Sequence, residues 1–200
     1  MAYEIIEQVK ELFGDQEQYY SFLDIANQRN IIRDAWWRKF WQEMNKTVST
    51  VDKWGYSATN LFDYRWYINE LGTDSFGLYA GNVWNKFSIG FWAPQNKYDI
   101  KKLSELLQES KYGEPIKEKF NRLDYIGNES TEWKYVEHIV FEGSNENEVY
   151  DLERLGWYAN YKTPELVSQV ISKIDVFRKD SEIKDILLEL NKKTLLEEKL

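Results

Sequence analysis

The residues with the clearest capacity for chemistry are two carboxylates and a lysine in the second half of the chain. Glu132 and Lys134 are separated by one residue in a stretch predicted as a strand, and Asp124 lies upstream. Two acids on adjacent strands can hold Mg²⁺, and a nearby lysine can stabilise charge or orient the attacking water. One alternative is therefore Mg²⁺-dependent cleavage of nucleic acid. Glu-x-Lys occurs four times in a chain rich in both residue types, so this spacing is also expected by chance.

Other catalytic arrangements are disfavoured by what the sequence lacks. The chain has no cysteine, which excludes thiol nucleophiles, thiolate zinc sites and disulfides. Its single histidine, His138, excludes histidine-cluster metal sites, and no G-x-S-x-G sequence accompanies it. Neither a Walker A loop nor a G-x-G-x-x-G loop is present. The inventory favours a binding module without turnover, and outside the Mg²⁺ alternative we expect no cofactor.

The overall composition is that of an ordinary globular chain. It has 200 residues, of which 42% are hydrophobic and 30% are charged, enough for one domain with a substantial core. No apolar run approaches the roughly 20 residues of a membrane helix, and the N-terminus lacks the hydrophobic region of a signal peptide. We therefore expect a cytoplasmic protein without membrane contact. The net charge of −8 disfavours nonspecific binding to a phosphate backbone.

An antiparallel sheet is predicted at the centre of the chain. Residues 87–93 alternate between large apolar and mostly small side chains, with the period of a half-buried strand. A turn at Asn85-Lys86 leads back to a strand at 76–84, and Gly72-Thr73-Asp74 connects that strand to one at 64–71. Residues 131–141 supply a further strand, whereas 51–62 is predicted as a loop or an irregular edge strand. The sheet should have about four strands.

Amphipathic helices are predicted before and after these strands along the chain. Their apolar residues recur at helical spacing over 3–13, 19–30, 31–48, 100–109, 163–177 and the segment beyond 180. In the helix 31–48, Trp37 and Trp41 are expected to be buried against the sheet. Residues 151–161 are predicted as an edge strand or an extended connection. The fold class is thus α+β, with helices packed mainly on one face of the sheet. We expect a single domain, 1–200, with N-terminal helices over 1–48, a sheet-containing core over 64–141 and C-terminal helices over 163–200.

Aromatic residues are unusually frequent, with 9 Trp, 14 Tyr and 10 Phe. Either they fill the core and cover the sheet, or some of them form an exposed platform for a protein, a sugar or a base. The predicted strands leave Trp92 off the core face and place Trp157 and Tyr158 near an acidic loop, so these three are the candidate binding residues. A protein partner is favoured over free nucleic acid, because acidic charge repels phosphate and aromatic residues are enriched at protein contacts.

Several segments resemble the region that follows the nuclease core in bacterial proteins of the PD-(D/E)XK superfamily. The similar segments, in order, are EIIEQVKELFG, IIRDAWWRKFWQEM, SFGLYAGNVWNKFSIGFW, STEWKYVEHIVF and PELVSQVISKIDVF. In that family the catalytic Asp and Glu-x-Lys belong to a core that would lie before residue 1 here, so no catalytic residue is transferred to this chain. The resemblance implies a separated accessory region or an independent protein on a similar scaffold.

The acidic, aromatic composition is also compatible with a small phage or mobile-element protein that binds a host defence component. In such inhibitors an acidic surface can imitate the phosphates of DNA. Three alternatives therefore stand: a protein-binding accessory module in a nuclease or defence context, a Mg²⁺-dependent nuclease using Asp124, Glu132 and Lys134, and an acidic DNA mimic.

Overall fold

A computed structural model describes residues 16–49, 51–142 and 151–196. The N-terminal region of this range is helical, with α1 at Gln16–Asn27 and α2 at Arg29–Thr47. The predicted helix 3–13 lies outside the described residues. Trp37, Phe40 and Met44 form the buried face of α2, at the three- and four-residue spacing that places side chains on one side of a helix. Trp37 is completely buried, as predicted, whereas Trp41 is only partly buried against the core.

Five antiparallel strands form one sheet in which neighbours in sequence are neighbours in space. In sheet order the strands are β1 Trp54–Asn60, β2 Asp63–Ile68, β3 Gly77–Val83, β4 Lys86–Trp92 and β5 Trp133–His138. The α+β class is therefore confirmed, with five strands rather than about four. The additional strand is β1, which forms in the stretch predicted as a loop or an irregular edge strand. Its weak apolar alternation reflects its position at the edge of the sheet, where the middle of the strand is only half-buried.

The remaining helices cover the sheet from one side. In chain order they are α3 Ile100–Gln108, α4 Ser110–Lys117, α5 Leu152–Tyr161, α6 Thr163–Arg178 and α7 Ser181–Thr194. The prediction of an edge strand or extended connection at 151–161 is wrong, because this segment is α5. The Asp151 carboxylate caps α5 by accepting a hydrogen bond from the Arg154 backbone N–H, so the helix begins before the Leu-Gly-Trp-Tyr run that looked extended.

The main core lies between the helices and the face of the sheet that carries Phe87, Ile89 and Phe91. The other face holds a much smaller cluster, in which Tyr79, Val83 and Val136 are buried beside the half-buried rings of Trp92, Tyr125 and Trp133. Burial of large aromatic rings contributes strongly to core energetics, so the high aromatic content is largely accounted for by these two clusters.

Candidate functional site

The first candidate acid, Asp124, lies beside β5 and binds the backbone of that strand. Its Oδ2 atom accepts a 2.7 Å hydrogen bond from the backbone N–H of His138. The Arg122 guanidinium binds the same carboxylate, with Nε 3.0 Å from Oδ1. The carboxylate is therefore already engaged by one positive charge and one backbone donor.

The second candidate acid, Glu132, joins the start of β5 to the end of β4. Its Oε2 atom lies 3.3 Å from the indole Nε1 of Trp92, which donates to it. Its Oε1 atom accepts a 3.1 Å hydrogen bond from the Gln95 backbone N–H. Both carboxylate oxygens thus bind groups of the chain itself, and Glu132 fixes the segment that follows β4.

The lysine of this set, Lys134, is buried, with 1% of its surface exposed. Its Nζ donates to the Ser104 hydroxyl at 2.7 Å, the Asn128 carbonyl at 2.6 Å and the Thr131 carbonyl at 2.7 Å. Three acceptors match the three hydrogens of an ammonium group, and none of them is a carboxylate. Burial lowers the pKa of Lys134 to about 8, because a charged amine loses hydration in the interior.

These three side chains do not assemble a metal site in the described residues. The hydrogen-bond partners of Asp124, Glu132 and Lys134 are all different, and none is shared. Within 16–49, 51–142 and 151–196, no group of three or more His, Asp or Glu side chains is placed to hold a metal ion. In this structure the three side chains link β5 to its neighbours.

His138 forms a second polar cluster, which has the residue types of a catalytic triad without its geometry. The Ser88 Oγ lies 2.7 Å from His138 Nδ1 across the β4–β5 pair. The Asp124 carboxylate holds the backbone of His138, not its ring, so it does not orient the imidazole as a general base requires. Ser88 has no exposed surface. Burial lowers the pKa of His138, with Lys86 and Arg122 acting in the same direction and Asp124 opposing them.

Trp92, the first candidate binding residue, is half-buried on the sheet face away from the helices. The Arg65 guanidinium carbon lies 4.0 Å from the centre of its ring, a cation–π contact that covers one face of the indole. Arg65 is held in turn by Asp63, with Nε 2.8 Å from Oδ1. Because Glu132 also accepts its Nε1 hydrogen, Trp92 is engaged at both its ring and its polar edge.

Trp157 and Tyr158, the other candidates, lie on α5 and have different environments. Tyr158 is partly buried and stacks on Phe141 at 4.4 Å between ring centres. Trp157 is 46% exposed and packs against Tyr161, which is 60% exposed and one turn further along α5. Trp36 of α2 meets Tyr161 edge-on at 6.4 Å. We call Trp36, Trp157 and Tyr161 the aromatic patch. Trp36 and Tyr161 were not predicted as binding residues. Residues four apart lie roughly 13 Å from each other along a strand, so only the helix brings the rings of Trp157 and Tyr161 into contact.

The patch is held rigidly because α2 and α5 are fastened together beneath it. The indole Nε1 of Trp37 donates a 2.8 Å hydrogen bond to the Leu152 carbonyl in the first turn of α5. A Cβ added to Gly156 would lie 3.3 Å from that nitrogen, so the absence of a side chain there permits the close approach. Lys39 of α2 donates a 2.6 Å hydrogen bond to the Asn160 carbonyl at the other end of α5.

Trp84 is an exposed aromatic residue that the sequence did not single out. It occupies the β3–β4 turn with Asn85, and both residues have positive φ angles, 50° and 64°. The turn is thus one residue earlier than the predicted Asn85-Lys86, since Val83 pairs with Lys86. Asparagine suits this backbone conformation, whereas a bulky side chain is unfavourable there. Trp84 is 55% exposed and packs edge-on against Tyr125 at 4.8 Å.

Comparison with known proteins gives no family for this chain. No protein-family model, no curated protein and no solved structure matches it. The resemblance to the region that follows the PD-(D/E)XK nuclease core therefore stays a prediction. In the described residues, no helix is both long enough and apolar enough to cross a membrane.

Proposed function

We propose that this chain is a non-catalytic module that binds another protein through the aromatic patch. The observation that carries the proposal is the cluster of Trp36, Trp157 and Tyr161 on the outer side of two packed helices. Tryptophan and tyrosine dominate the energetics of many protein contacts, whereas an exposed indole contributes little to folding. Trp157 and Tyr161 leave about half of their surfaces available for a partner.

Preorganisation of the patch supports the same function. The Trp37–Leu152 hydrogen bond and the Lys39–Asn160 hydrogen bond fix α5 on α2 at both ends. Rings on fixed helices lose less conformational freedom on binding than rings on a loop, so more of their contact energy remains as affinity. A protein partner fits better than nucleic acid, since the chain as a whole carries a net charge of −8.

The cellular context follows from the family resemblance and from the composition. A nuclease or defence setting rests on the family resemblance, and a cytoplasmic setting is compatible with the lack of cysteine. A DNA mimic would require a surface dominated by acids. Helix α2, which supplies one side of the aromatic patch, instead carries more basic than acidic side chains: Arg29, Arg33, Arg38, Lys39 and Lys46 against Asp34 and Glu43.

The test is capture from an extract of the native cell, followed by direct binding to the purified protein recovered. Wild type is compared with Trp157→Ala and Tyr161→Ala, and with Trp84→Asn as a control that removes an exposed indole outside the patch. Each patch variant should weaken binding about 30-fold or more, the effect of losing a hot-spot side chain of about 2 kcal/mol. The control should bind like wild type.

Four results would replace this proposal with another. Equal binding by all variants would move the contact surface away from the patch. Recovery of nucleic acid alone, with binding lost at high salt, would indicate direct phosphate recognition. Recovery of a DNA-binding protein that duplex DNA displaces would indicate a DNA mimic. Cleavage of DNA or RNA in Mg²⁺, abolished by Glu132→Ala, would establish the nuclease alternative despite the separate engagement of Asp124, Glu132 and Lys134.

A further inference from the structure

Strand β1 forms one edge of the sheet, and its backbone directs hydrogen-bonding groups away from the protein. On an interior strand, successive residues bond alternately to the two neighbours. The Asn82 N–H donates to the Phe62 carbonyl, which fixes Tyr64 and Trp66 as the β2 residues that bond to β3. Arg65 and Tyr67 must then bond to β1.

The register between β1 and β2 gives the orientation of β1. Arg65 is opposite Ser57, and Tyr67 is opposite Gly55, so Gly55 and Ser57 bond inwards. The Asn69 N–H donates to the Lys53 carbonyl, which fits the same alternation independently. Tyr56 and Ala58 therefore point their N–H and C=O groups out of the sheet. No backbone hydrogen bond from any other described segment reaches these two residues.

The opposite edge of the sheet, at β5, is closed. The Asp124 N–H donates to the Val136 carbonyl, and the Tyr135 N–H donates to the Ile126 carbonyl. The segment through Tyr125 thus pairs with β5 as a short bridge. The register also slips where β4 meets β5, and Tyr135 has a positive φ angle of 50°. Irregularities and covering segments of this kind prevent another strand from pairing with an edge.

Strand β1 has fewer of the features that usually protect an edge. Its seven residues, WGYSATN, include no charged side chain and no proline, and its only irregularity is a register shift between Ala58 and Asn60 near its end. The backbone N–H and C=O groups of Tyr56 and Ala58 have no partner among the described residues. An open edge of this composition is a template for another extended strand.

We propose that β1 pairs with β1 of a second copy of this chain, antiparallel across a two-fold axis. Such an interface is self-complementary, because each copy offers the same outward donors and acceptors at Tyr56 and Ala58. Antiparallel pairing also brings the start of one strand to the end of the other, and β1 itself carries no charged side chain that would meet a like charge across the axis. This inference is independent of the aromatic patch.

The two edges also determine the size of the assembly. Within the part of the chain that the structure describes, β5 is closed by residues 124–126 and β1 is the open edge, and a two-fold contact uses the β1 edge of both copies. The assembly therefore stops at a dimer with one continuous sheet rather than growing into a filament.

The experiment is analytical ultracentrifugation of the full chain over a wide concentration range, together with amide hydrogen exchange. The mass should rise with concentration from 24.1 kDa to twice that value. The Tyr56 and Ala58 amides should become protected from exchange only in the dimer. The Gly55 and Ser57 amides serve as internal controls, because their bonds to β2 protect them at every concentration.

Two variants should weaken the dimer without breaking the β1–β2 ladder. Ala58→Pro removes an outward N–H, and Thr59→Lys places a charge on an exposed position of the edge. Each should raise the dimer dissociation constant at least about tenfold, as expected when hydrogen bonds are lost in both copies. Thr73→Lys, which adds the same charge in an exposed turn, should dimerise like wild type. If Ala58→Pro fails to fold, Thr59→Lys and wild-type exchange still decide the question.

The proposal is overturned if wild type stays a monomer at every concentration with Tyr56 and Ala58 amides exchanging freely. It is also overturned if a dimer forms that neither edge variant weakens, because the contact would then lie elsewhere.

Discussion

Replacing Trp37 by alanine tests whether one indole joins α2, the sheet and α5. Trp37 has no exposed surface. Its ring stacks on Phe87 at 4.9 Å and meets Phe40 and Phe62 edge-on at 5.3 and 5.5 Å. Its Nε1 also donates to the Leu152 carbonyl at the start of α5. No other residue makes this combination of contacts in the described core, so its loss should be felt by all three elements.

The expected cost follows from these contacts. Truncation of a buried aromatic residue to alanine typically destabilises a protein by about 3–5 kcal/mol, which includes the cavity left behind. For a chain of this length that corresponds to a melting temperature lower by roughly 6–20 °C. Trp37→Phe keeps a ring on Phe87 but removes the Nε1 donor and some of the volume. It should cost about 1–2 kcal/mol, near the contribution of one buried hydrogen bond and a smaller cavity.

Guanidinium denaturation measures both values, provided that the slope of free energy against denaturant is the same for all variants. Trp157→Ala is the matched control, because it also removes an indole but from a position that is 46% exposed, and alanine suits a helix. It should cost less than about 1 kcal/mol. If Trp37→Ala were no more destabilising than this control, the placement of α2 on the sheet would be refuted.

Two buried side chains with lowered pKa values, His138 and Lys134, should both make the protein more stable as pH rises, but in different pH ranges. Burial lowers the pKa of His138 from 6.5, so the unfolded chain takes up a proton more readily than the folded protein. Wild type should therefore lose stability relative to His138→Gln as pH falls below about 6.5, and a constant difference in unfolding free energy would contradict this. The pKa of Lys134 is lowered from 10.5 to about 8, so the cost of burying its charge is fully present below pH 8 and disappears as pH rises towards 10.5. Wild type should therefore gain roughly 3 kcal/mol relative to Lys134→Met between these values, and denaturation curves for both proteins that shift in parallel would refute it.

The fold could be predicted where a local pattern determined the structure by itself. The alternation of Phe87, Ile89 and Phe91 predicted β4 because these side chains face one core, and the stripe of α2 predicted the burial of Trp37 for the same reason. Helix α5 was not recognised, because its Gly156 and aromatic neighbours resemble a short strand in isolation. Its helical state depends on the cap by Asp151 and on the close packing of Gly156 against Trp37. The spacing of apolar residues in the sequence reveals neither contact.

The candidate site could be predicted less well, because its chemistry depends on which groups meet. Glu132 and Lys134 are two residues apart, the spacing that places side chains on the same face of a strand. In the structure they have different partners: Glu132 binds the Trp92 indole and the Gln95 backbone, whereas Lys134 binds Ser104 and the loop before β5. The loop carbonyls that receive Lys134 are backbone atoms, which no residue type reveals. Trp157 is exposed as predicted, although its segment is a helix and not a strand. An indole on a surface segment can be exposed in either kind of structure.

The aromatic patch and the β1 edge are separate surfaces with different chemistry, and this separation affects how binding should be interpreted. The patch offers exposed rings on α2 and α5, whereas β1 offers backbone donors and acceptors, so a change in one set of residues leaves the other intact. A dimer through β1 would carry two aromatic patches, one on the α2 and α5 helices of each copy. Two linked sites bind a multivalent partner more tightly than one, without any new contact, as long as their geometry allows both to engage. Weaker capture by an edge variant on a densely coated surface would therefore report lost dimerisation, and only the solution affinity of each site reports the patch itself.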